Sequence, residues 1–386
     1  MALAVAASAV APPVAGACSA FLATGNGLVL FGNNEDSSNP ATRMWFVPGT
    51  PGTHGRVYFG YDDLLPQGGM NEAGLVYDGF AARPKLVTTS PEKPPIGEYE
   101  LIDTAMATCA TVPEVLVLFS RYNLQVMETF TLMFADRNGD SVIIEGDAVL
   151  RKAGRFQVQT NFRQSEHPGG IDAYGAGQSC ARFAIASAML ATDEPISVGR
   201  VRQILAAIHV EGRPTGRPQT LYSNIYDLQR RIVYIYSFHD FQHKVVIDLA
   251  AELNKGRRIV DLPALFPRTY AREAFVAEKE AEREQRRAGR PTVELPTGAL
   301  QRFVGRYGET CALGPVTVSL DGGVLVADYP GSGPLRLDAS SPTEYFHLRL
   351  DKLYDVDIVF REGDGGTIDG LQLRTGERNE FCRRLP

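Results

Sequence analysis

The stretch CSAFLATGNGLVLFGNNED, residues 18–36, decides the expected fold of this chain. Residues 18–24 and 27–31 are apolar runs joined by Gly25-Asn26-Gly27, a pattern that predicts a β-hairpin. Further strand-like and helical segments follow as far as about residue 265, without a regular β-α-β repeat. Many strands, fewer helices and no such repeat favour a layered α+β fold.

The sequence before Cys18 differs in kind from the rest. Residues 2–17 carry no charge and end in Ala15-Gly16-Ala17, a small-x-small pattern typical of a signal-peptide cleavage site. The stretch is shorter than the roughly 20 residues needed to span a bilayer, and it lacks the usual positively charged start. We expect residues 1–17 to be a signal peptide and the protein to be exported to the periplasm or the medium. A disordered apolar tail is the alternative.

Removal of residues 1–17 would make Cys18 the first residue. A thiol with a pKa of about 8.5 is mostly protonated at neutral pH, but an α-amino group with a pKa of roughly 7.7–8.0 can take its proton. In the uncleaved chain that nitrogen is an amide and has no basicity, so cleavage would activate Cys18 as a nucleophile. Lipidation of Cys18 as a membrane anchor is the alternative, although Ala15 stands where that signal has a large aliphatic residue.

Five short motifs then occur in order along the chain. They are CSAF at 18–21, FGNNED at 31–36, GGMNEAGL at 68–75, QTN at 159–161 and SCARF at 179–183. The series resembles the choloylglycine hydrolase, penicillin V acylase and isopenicillin-N acyltransferase superfamily of linear amide hydrolases. The resemblance covers residues 18 to about 250. It implies the four-layer αββα fold of the N-terminal-nucleophile (Ntn) hydrolases.

The resemblance also implies a role for each matching residue. Cys18 is the nucleophile and its amine the base, while Asp36 orients that amine. Asn161 donates its side-chain amide to the oxyanion of the tetrahedral intermediate, a contact worth on the order of 3 kcal/mol. Arg182 holds the polar network beneath the nucleophile. Taken singly, Asp36 and Asn161 could instead be turn residues, and Arg182 could be a surface ion-pair residue.

Two positions depart from the family pattern. Asn33 stands where the family usually has Arg, so a positive charge beside the thiol is missing and the thiolate should be less stabilised. Glu35 adds negative charge nearby. Ala81 stands at about the position where family members have Asn or Tyr, so only its backbone N–H could contribute to the oxyanion site. These two departures leave the substrate class open.

The expected activity is hydrolysis of a linear carbon–nitrogen amide through a thioester intermediate. Two alternatives follow from the same residues. An acyltransferase would pass the acyl group to an amine in place of water. A catalytically inactive exported protein would use the pocket to bind acylated ligands. The presence of Asn33 in place of the family's Arg favours that hypothesis.

The C-terminal third has a different organisation. After an expected catalytic domain at 18–265, the sequence predicts a charged helical linker at 266–297. It predicts a small all-β domain of short strands and Gly-rich turns at 298–386. In an oxidising compartment, Cys311 and Cys382 at the two ends of this small domain are candidates for a disulfide. Two separate buried thiols are the alternative.

Composition and charge exclude other classes of function. The 386 residues are 44% hydrophobic and 22% charged with a net charge of -6, so no basic surface for nucleic acid is expected. No Gly-rich phosphate loop precedes a helix, and His239 and His243 lie in an expected turn where a spacing of four does not bring them together. We expect no cofactor, no metal, no nucleic-acid partner and no stable membrane span. The expected ligand is a small N-acyl amide, and homo-oligomerisation stays open.

Overall fold

The computed structural model describes most of the chain. The described residues are 18–167, 177–212, 218–308, 315–329, 333–348, 355–375 and 378–386. The expected signal peptide at 1–17 lies outside them. Within these ranges, no helix has the length and apolar character that a membrane crossing requires.

The first sheet contains the expected hairpin and has six antiparallel strands. In spatial order they are β10 (Phe156–Thr160), β1 (Ser19–Gly25), β2 (Leu28–Ser37), β11 (Gln219–Asp227), β12 (Ile232–Ser237) and β13 (Asp240–Asp248). Asn26 and Gly27 connect β1 to β2 with φ values of 52° and 73°, the backbone that a two-residue hairpin turn requires.

The second sheet has eight antiparallel strands. In spatial order they are β14 (Arg258–Asp261), β3 (Thr42–Val47), β4 (Arg56–Tyr61), β5 (Pro66–Asn71), β6 (Val76–Ala81), β7 (Phe130–Ala135), β8 (Ser141–Ile144) and β9 (Val149–Arg151). It packs face to face on the first sheet, because apolar side chains from both sheets share one buried cluster.

Helices cover the two outer faces. They are α1 (Glu98–Thr108) and α2 (Val112–Phe119) on the second sheet, and α3 (Gln178–Ala191) and α4 (Val198–Ile208) on the first. Along β1, Phe21 and Ala23 pack in the cluster with α3 and α4, while Ala20 and Leu22 pack between the sheets. This period of two is what a strand buried on both faces requires. The layers therefore follow the order αββα.

A capping residue, and not Pro113, separates α1 from α2. The first helix ends before Cys109, and Thr111 begins the second by accepting from the Glu114 backbone N–H. Pro113 lies in the first turn of α2, where its missing N–H has no helical partner to lose. The helix break is therefore set by the Thr111 cap.

The C-terminal region is an eight-stranded antiparallel meander. Its strands are β15 (Gly305–Tyr307), β16 (Val316–Asp321), β17 (Val324–Tyr329), β18 (Gly333–Ala339), β19 (Glu344–His347), β20 (Val356–Glu362), β21 (Ile368–Thr375) and β22 (Arg378–Arg383). Gly308 N donates to Arg383 O (2.7 Å) and Leu385 N to Arg306 O (2.8 Å). The last strand thus returns to the first, so the sheet closes into a barrel-like form.

The barrel-like sheet contains Cys382, one of the two cysteines of the expected disulfide. Cys382 is buried and disulfide-bonded, while Cys18, Cys109 and Cys180 are free thiols. Cys311 lies outside the described residues, so its pairing with Cys382 stays a prediction.

A short helix, α5 (Leu249–Leu253), follows β13, and a 19-residue helix, α6 (Tyr270–Ala288), occupies the expected linker. Its first part is anchored on the αββα region, because the Phe275 ring is buried and lies 5.5 Å from that of Phe238. Its last turn contacts the barrel through Arg286, which pairs with Asp355 at 3.0 Å. The charged linker predicted from the sequence is therefore a helix that packs on both regions.

Candidate active site

The two faces of the first sheet sort the candidate residues into two groups. Cys18, just before β1, packs between the sheets, and Asn33 of β2 lies opposite Ala20 on that same face. Ser19 lies opposite Asn34 on the other face, towards the helices. The alternation of strand side chains thus places the thiol and the partners of Asp36 on opposite faces of the sheet.

The Cys18 thiol is 5% exposed and lies among acidic and phenolic groups. Its Sγ donates to Glu35 Oε1 at 3.4 Å, and the backbone of Asp36 also hydrogen-bonds to the sulfur. Tyr61, reaching across from β4, donates its hydroxyl to the same Glu35 oxygen at 2.8 Å. Glu35 therefore links the thiol to the second sheet.

The electrostatics of this pocket favour the protonated thiol. Burial, followed by the charges of Glu35, Asp36 and Asp78, raises the pKa of Cys18 well above its ordinary value. Burial likewise raises the pKa of Glu35 to about 8 and that of Asp36 to about 7, the latter opposed by Arg182. The pKa of Asp78 is also raised, chiefly by burial. A cation close to the sulfur would be needed to stabilise a thiolate here.

Arg182 organises the helix-facing side of the sheet. It is buried, and its Nη1 donates to Asp36 Oδ2 at 3.0 Å and to Ser19 Oγ at 2.5 Å. Thr220 Oγ1 donates to the other oxygen of Asp36 at 2.5 Å. Both oxygens of the Asp36 carboxylate are thus engaged on this face, and the part of Asp36 that reaches the sulfur is its backbone.

Asn161 and Ala81, distant in sequence, meet at the end of the sheets. Asn161 Nδ2 donates to the Ala81 carbonyl at 3.1 Å, and Arg182 Nη2 donates to Asn161 Oδ1 at 3.4 Å. The Asn161 amide is therefore held at both ends. An amide held in this way is preorganised, which is the property an oxyanion donor needs.

Asn33 lies on the thiol side, where its side chain partly opposes the rise that burial causes in the pKa of Asp78 on β6. Several buried polar atoms between the sheets have no hydrogen-bond partner among the described residues. They are Asn33 Oδ1, Glu35 Oε2, Asp78 Oδ2, Tyr222 Oη and Asn224 Oδ1. Buried polar groups in native proteins are nearly always satisfied by protein, water or ligand. The space beside the thiol is therefore lined by polar atoms that water or a polar group of a ligand can satisfy.

Comparison with known proteins gives a result at the level of structure. No family model and no curated protein sequence matches this chain. Penicillin V acylase from Agrobacterium tumefaciens superposes with a TM-score of 0.51 and 21% identity, over 64% of this chain and 92% of that one. Two variants of the conjugated bile acid hydrolase from Clostridium perfringens give TM-scores of 0.52 and 0.51 at 19% identity. They cover 65% and 63% of this chain, and 97% and 95% of theirs.

The fold is that of the Ntn hydrolases. The resemblance inferred from five short motifs is confirmed at this level, together with the αββα layers and the C-terminal all-β region. In the αββα region the structure brings Cys18 close to the Asp36 backbone, and it joins Asp36, Arg182, Asn161 and Ala81 in one hydrogen-bonded chain.

Sequence reasoning missed several residues of this candidate site. Ser19, Tyr61, Asp78 and Thr220 each touch a predicted residue, and only Asp78 had a signal, namely a carboxylate inside the apolar strand VYDGFA. Asn71, to which the sequence assigned no chemistry, binds the carbonyls of Met106 and Cys109 and so pins α1 to β5.

Proposed function

We propose that the mature protein begins at Cys18 and hydrolyses a linear carbon–nitrogen amide, with Cys18 as the nucleophile. The observation that supports this most directly is the position of the thiol. It lies buried between the sheets of an Ntn-hydrolase fold, beside polar atoms without described partners. The proteins with the same fold bear the names of an acylase and a bile acid hydrolase.

In the first step, the Cys18 sulfur attacks the amide carbon. The thiol proton passes to the α-amine of Cys18 and from there to the departing amine, so that the carbon–nitrogen bond breaks and a thioester forms. Asn161 donates an N–H to the oxygen that carries negative charge in the tetrahedral intermediate.

In the second step, a water molecule adds to the thioester carbon. The same amine takes one proton of the water and returns it to the sulfur, which releases the carboxylic acid and restores the thiol. No metal or cofactor takes part in these proton transfers.

The mature amine would also change the electrostatics of the pocket. As an ammonium it would supply a cation beside the carboxylates of Glu35 and Asp78, the role that Arg has in the family and that Asn33 cannot fill. Release of this amine by cleavage after Ala17 would therefore lower the pKa of the thiol. We propose export as the event that provides this cleavage.

A second candidate function is binding of an acylated ligand without turnover. The acidic surroundings of Cys18, which raise the pKa of the thiol, favour this possibility. Hydrolase and binding protein differ in one measurable respect, which is whether a covalent acyl adduct forms on the mature chain.

The test is intact-mass analysis of exported protein after exposure to N-acyl amides, including penicillin V, conjugated bile acids and acyl-homoserine lactones. We expect a chain that begins at Cys18, a transient acyl adduct and a stoichiometric burst of released amine. Cys18→Ser should lose both adduct and burst by orders of magnitude, since an alcohol is far less acidic than a thiol. Cys180→Ser, which removes a more accessible free thiol, is the matched control and should keep both.

Two outcomes would reject the hydrolase. One is a folded chain that begins at Cys18, binds a member of the panel and forms no adduct, which would indicate the binding protein. The other is an adduct that persists in Cys18→Ser. A blocked, lipid-modified Cys18 would reject the proposed maturation.

A further inference from the structure

Outside the proposed active site, three side chains that can bind metal ions converge at one end of the first sheet. His209 follows α4, Glu211 lies two residues later, and His239 lies in the turn between β12 and β13. One ligand atom from each of the three lies within 4.8 Å of the other two. His243, which lies four residues after His239 in the sequence, is not part of this cluster and pairs with Asp240 at 2.7 Å.

We propose that His209, Glu211 and His239 form a binding site for a divalent transition-metal ion, for which Zn²⁺ is the best match. Two imidazoles and one carboxylate are a ligand set that Zn²⁺ favours. Tetrahedral Zn²⁺ with bonds of about 2.0–2.1 Å places its ligand atoms about 3.3 Å apart. His209 Nε2 and Glu211 Oε1 are already separated by 3.2 Å.

The two histidines are oriented as metal ligands are. His209 Nδ1 lies 2.6 Å from the Ala206 carbonyl, which fixes the proton on Nδ1 and turns Nε2 towards Glu211. The His239 ring lies beside the Val210 backbone, and its buried Nε2 has no hydrogen-bond partner among the described residues. A ligand histidine usually donates its second ring nitrogen to a carbonyl or carboxylate in this way.

The local backbone holds His239 in place. Phe238 and His239 have φ values of 41° and 63°, which bulky side chains rarely adopt. The rings of Phe238 and His239 stack at 4.5 Å, and the Phe238 ring in turn packs on Phe275. Packing of Phe238 in the core thus compensates for the strained turn and holds the His239 ring 5.0 Å from that of His209.

The cluster also adjoins the network around Asp36. Val210, between two of the proposed ligands, donates its N–H to Thr220 Oγ1 at 2.8 Å, and Thr220 donates to Asp36. A metal ion bound by His209 and Glu211 would therefore hold Val210 in place and restrain the hydroxyl of Thr220 that Val210 contacts. Because the ion touches none of the residues proposed for amide hydrolysis, the metal proposal stands or falls independently of that activity.

The test is a Zn²⁺ titration of the chelator-treated full chain in competition with a chromophoric chelator. We expect one equivalent to bind and to raise the melting temperature. Glu211→Gln, at an exposed position, and His239→Asn, which tolerates positive φ, should each weaken binding by at least about 10–100-fold, the loss typical of even outer-shell changes. His243→Gln and Cys18→Ser are controls and should keep the affinity.

Cobalt provides a second readout. Bound Co²⁺ should show a ligand-field spectrum of nitrogen and oxygen donors without thiolate charge-transfer bands. Absence of stoichiometric Zn²⁺ binding would overturn the proposal and leave His209 and Glu211 as an ordinary ion pair. Equal affinity in wild type, Glu211→Gln and His239→Asn, or loss of binding in Cys18→Ser, would place any bound ion elsewhere and overturn it as well.

Discussion

Replacement of Glu35 by Gln tests the electrostatics of the thiol pocket through the pH dependence of stability. Burial raises the pKa of Glu35 from 4.5 to about 8 in the folded chain. Below pH 4.5 the group is protonated in both the folded and the unfolded state. Between the two values only the folded state keeps the proton, so the free energy of unfolding falls as pH rises, and above pH 8 it falls no further for this reason.

The size of the expected stability change follows from the slope of the free energy of unfolding against pH. One group that holds a proton only in the folded state lowers the free energy of unfolding by up to about 1.4 kcal/mol per pH unit. From pH 5 to pH 7 the loss due to Glu35 is therefore about 2–3 kcal/mol, or roughly 5–10 °C in melting temperature for a domain of this size. Asp36, with a pKa raised to about 7, adds its own slope, which remains in the variant.

The assay is thermal unfolding from pH 5 to pH 8 at constant ionic strength, on chain that keeps Ala17 joined to Cys18. We expect the Glu35→Gln curve to be flatter than that of the wild type, so that the variant gains relative stability as pH rises. Glu92→Gln, a surface substitution that removes the same number of carboxyl groups, is the control. Parallel curves for wild type and Glu35→Gln would refute the reasoning.

Three further predictions concern the thiol pocket, the oxyanion site and the barrel. Asn33→Arg should lower the pKa of the Cys18 thiol, because it introduces a cation beside Asp78, and the pH midpoint of thiol alkylation should fall. Asn161→Ala should lower kcat by roughly 100-fold while KM stays within a few-fold, since charge develops on the oxygen only in the transition state. Cys382→Ser should destabilise the C-terminal region by about 4 kcal/mol, if the disulfide with Cys311 closes a loop of about 70 residues, and it should leave amide hydrolysis intact.

Each of these has an outcome that contradicts it. An alkylation midpoint that is unchanged or higher in a folded Asn33→Arg protein would mean that this position does not act on the thiol. A change confined to KM in Asn161→Ala would place that residue in substrate binding. Peptide mapping without reductant that finds Cys311 unpaired would reject the predicted disulfide.

The hairpin at residues 19–37 and the helical linker could be predicted from the sequence, because their signals are local. Asn26-Gly27 adopts the turn by its own conformational preference, and the flanking apolar residues alternate between two buried faces. The order of five short motifs carried the fold resemblance, since it identified residues that the tertiary structure later gathers. The proposal of Cys18 as the nucleophile also came from the sequence, because among the five cysteines only Cys18 follows the pattern expected of a cleavage site.

The partners of those residues were decided by tertiary structure alone. Strand alternation sends the Cys18 side chain between the sheets and Ser19 towards the helices, and sequence does not say which element covers each face. Glu35 meets Tyr61 across two sheets, and Asp36 meets Thr220 from a strand almost two hundred residues away. His209 and His239 likewise come together only because β11 and β12 bring the end of α4 next to a hairpin turn. Contacts of this kind depend on the register and stacking of whole sheets, which short-range sequence patterns do not encode.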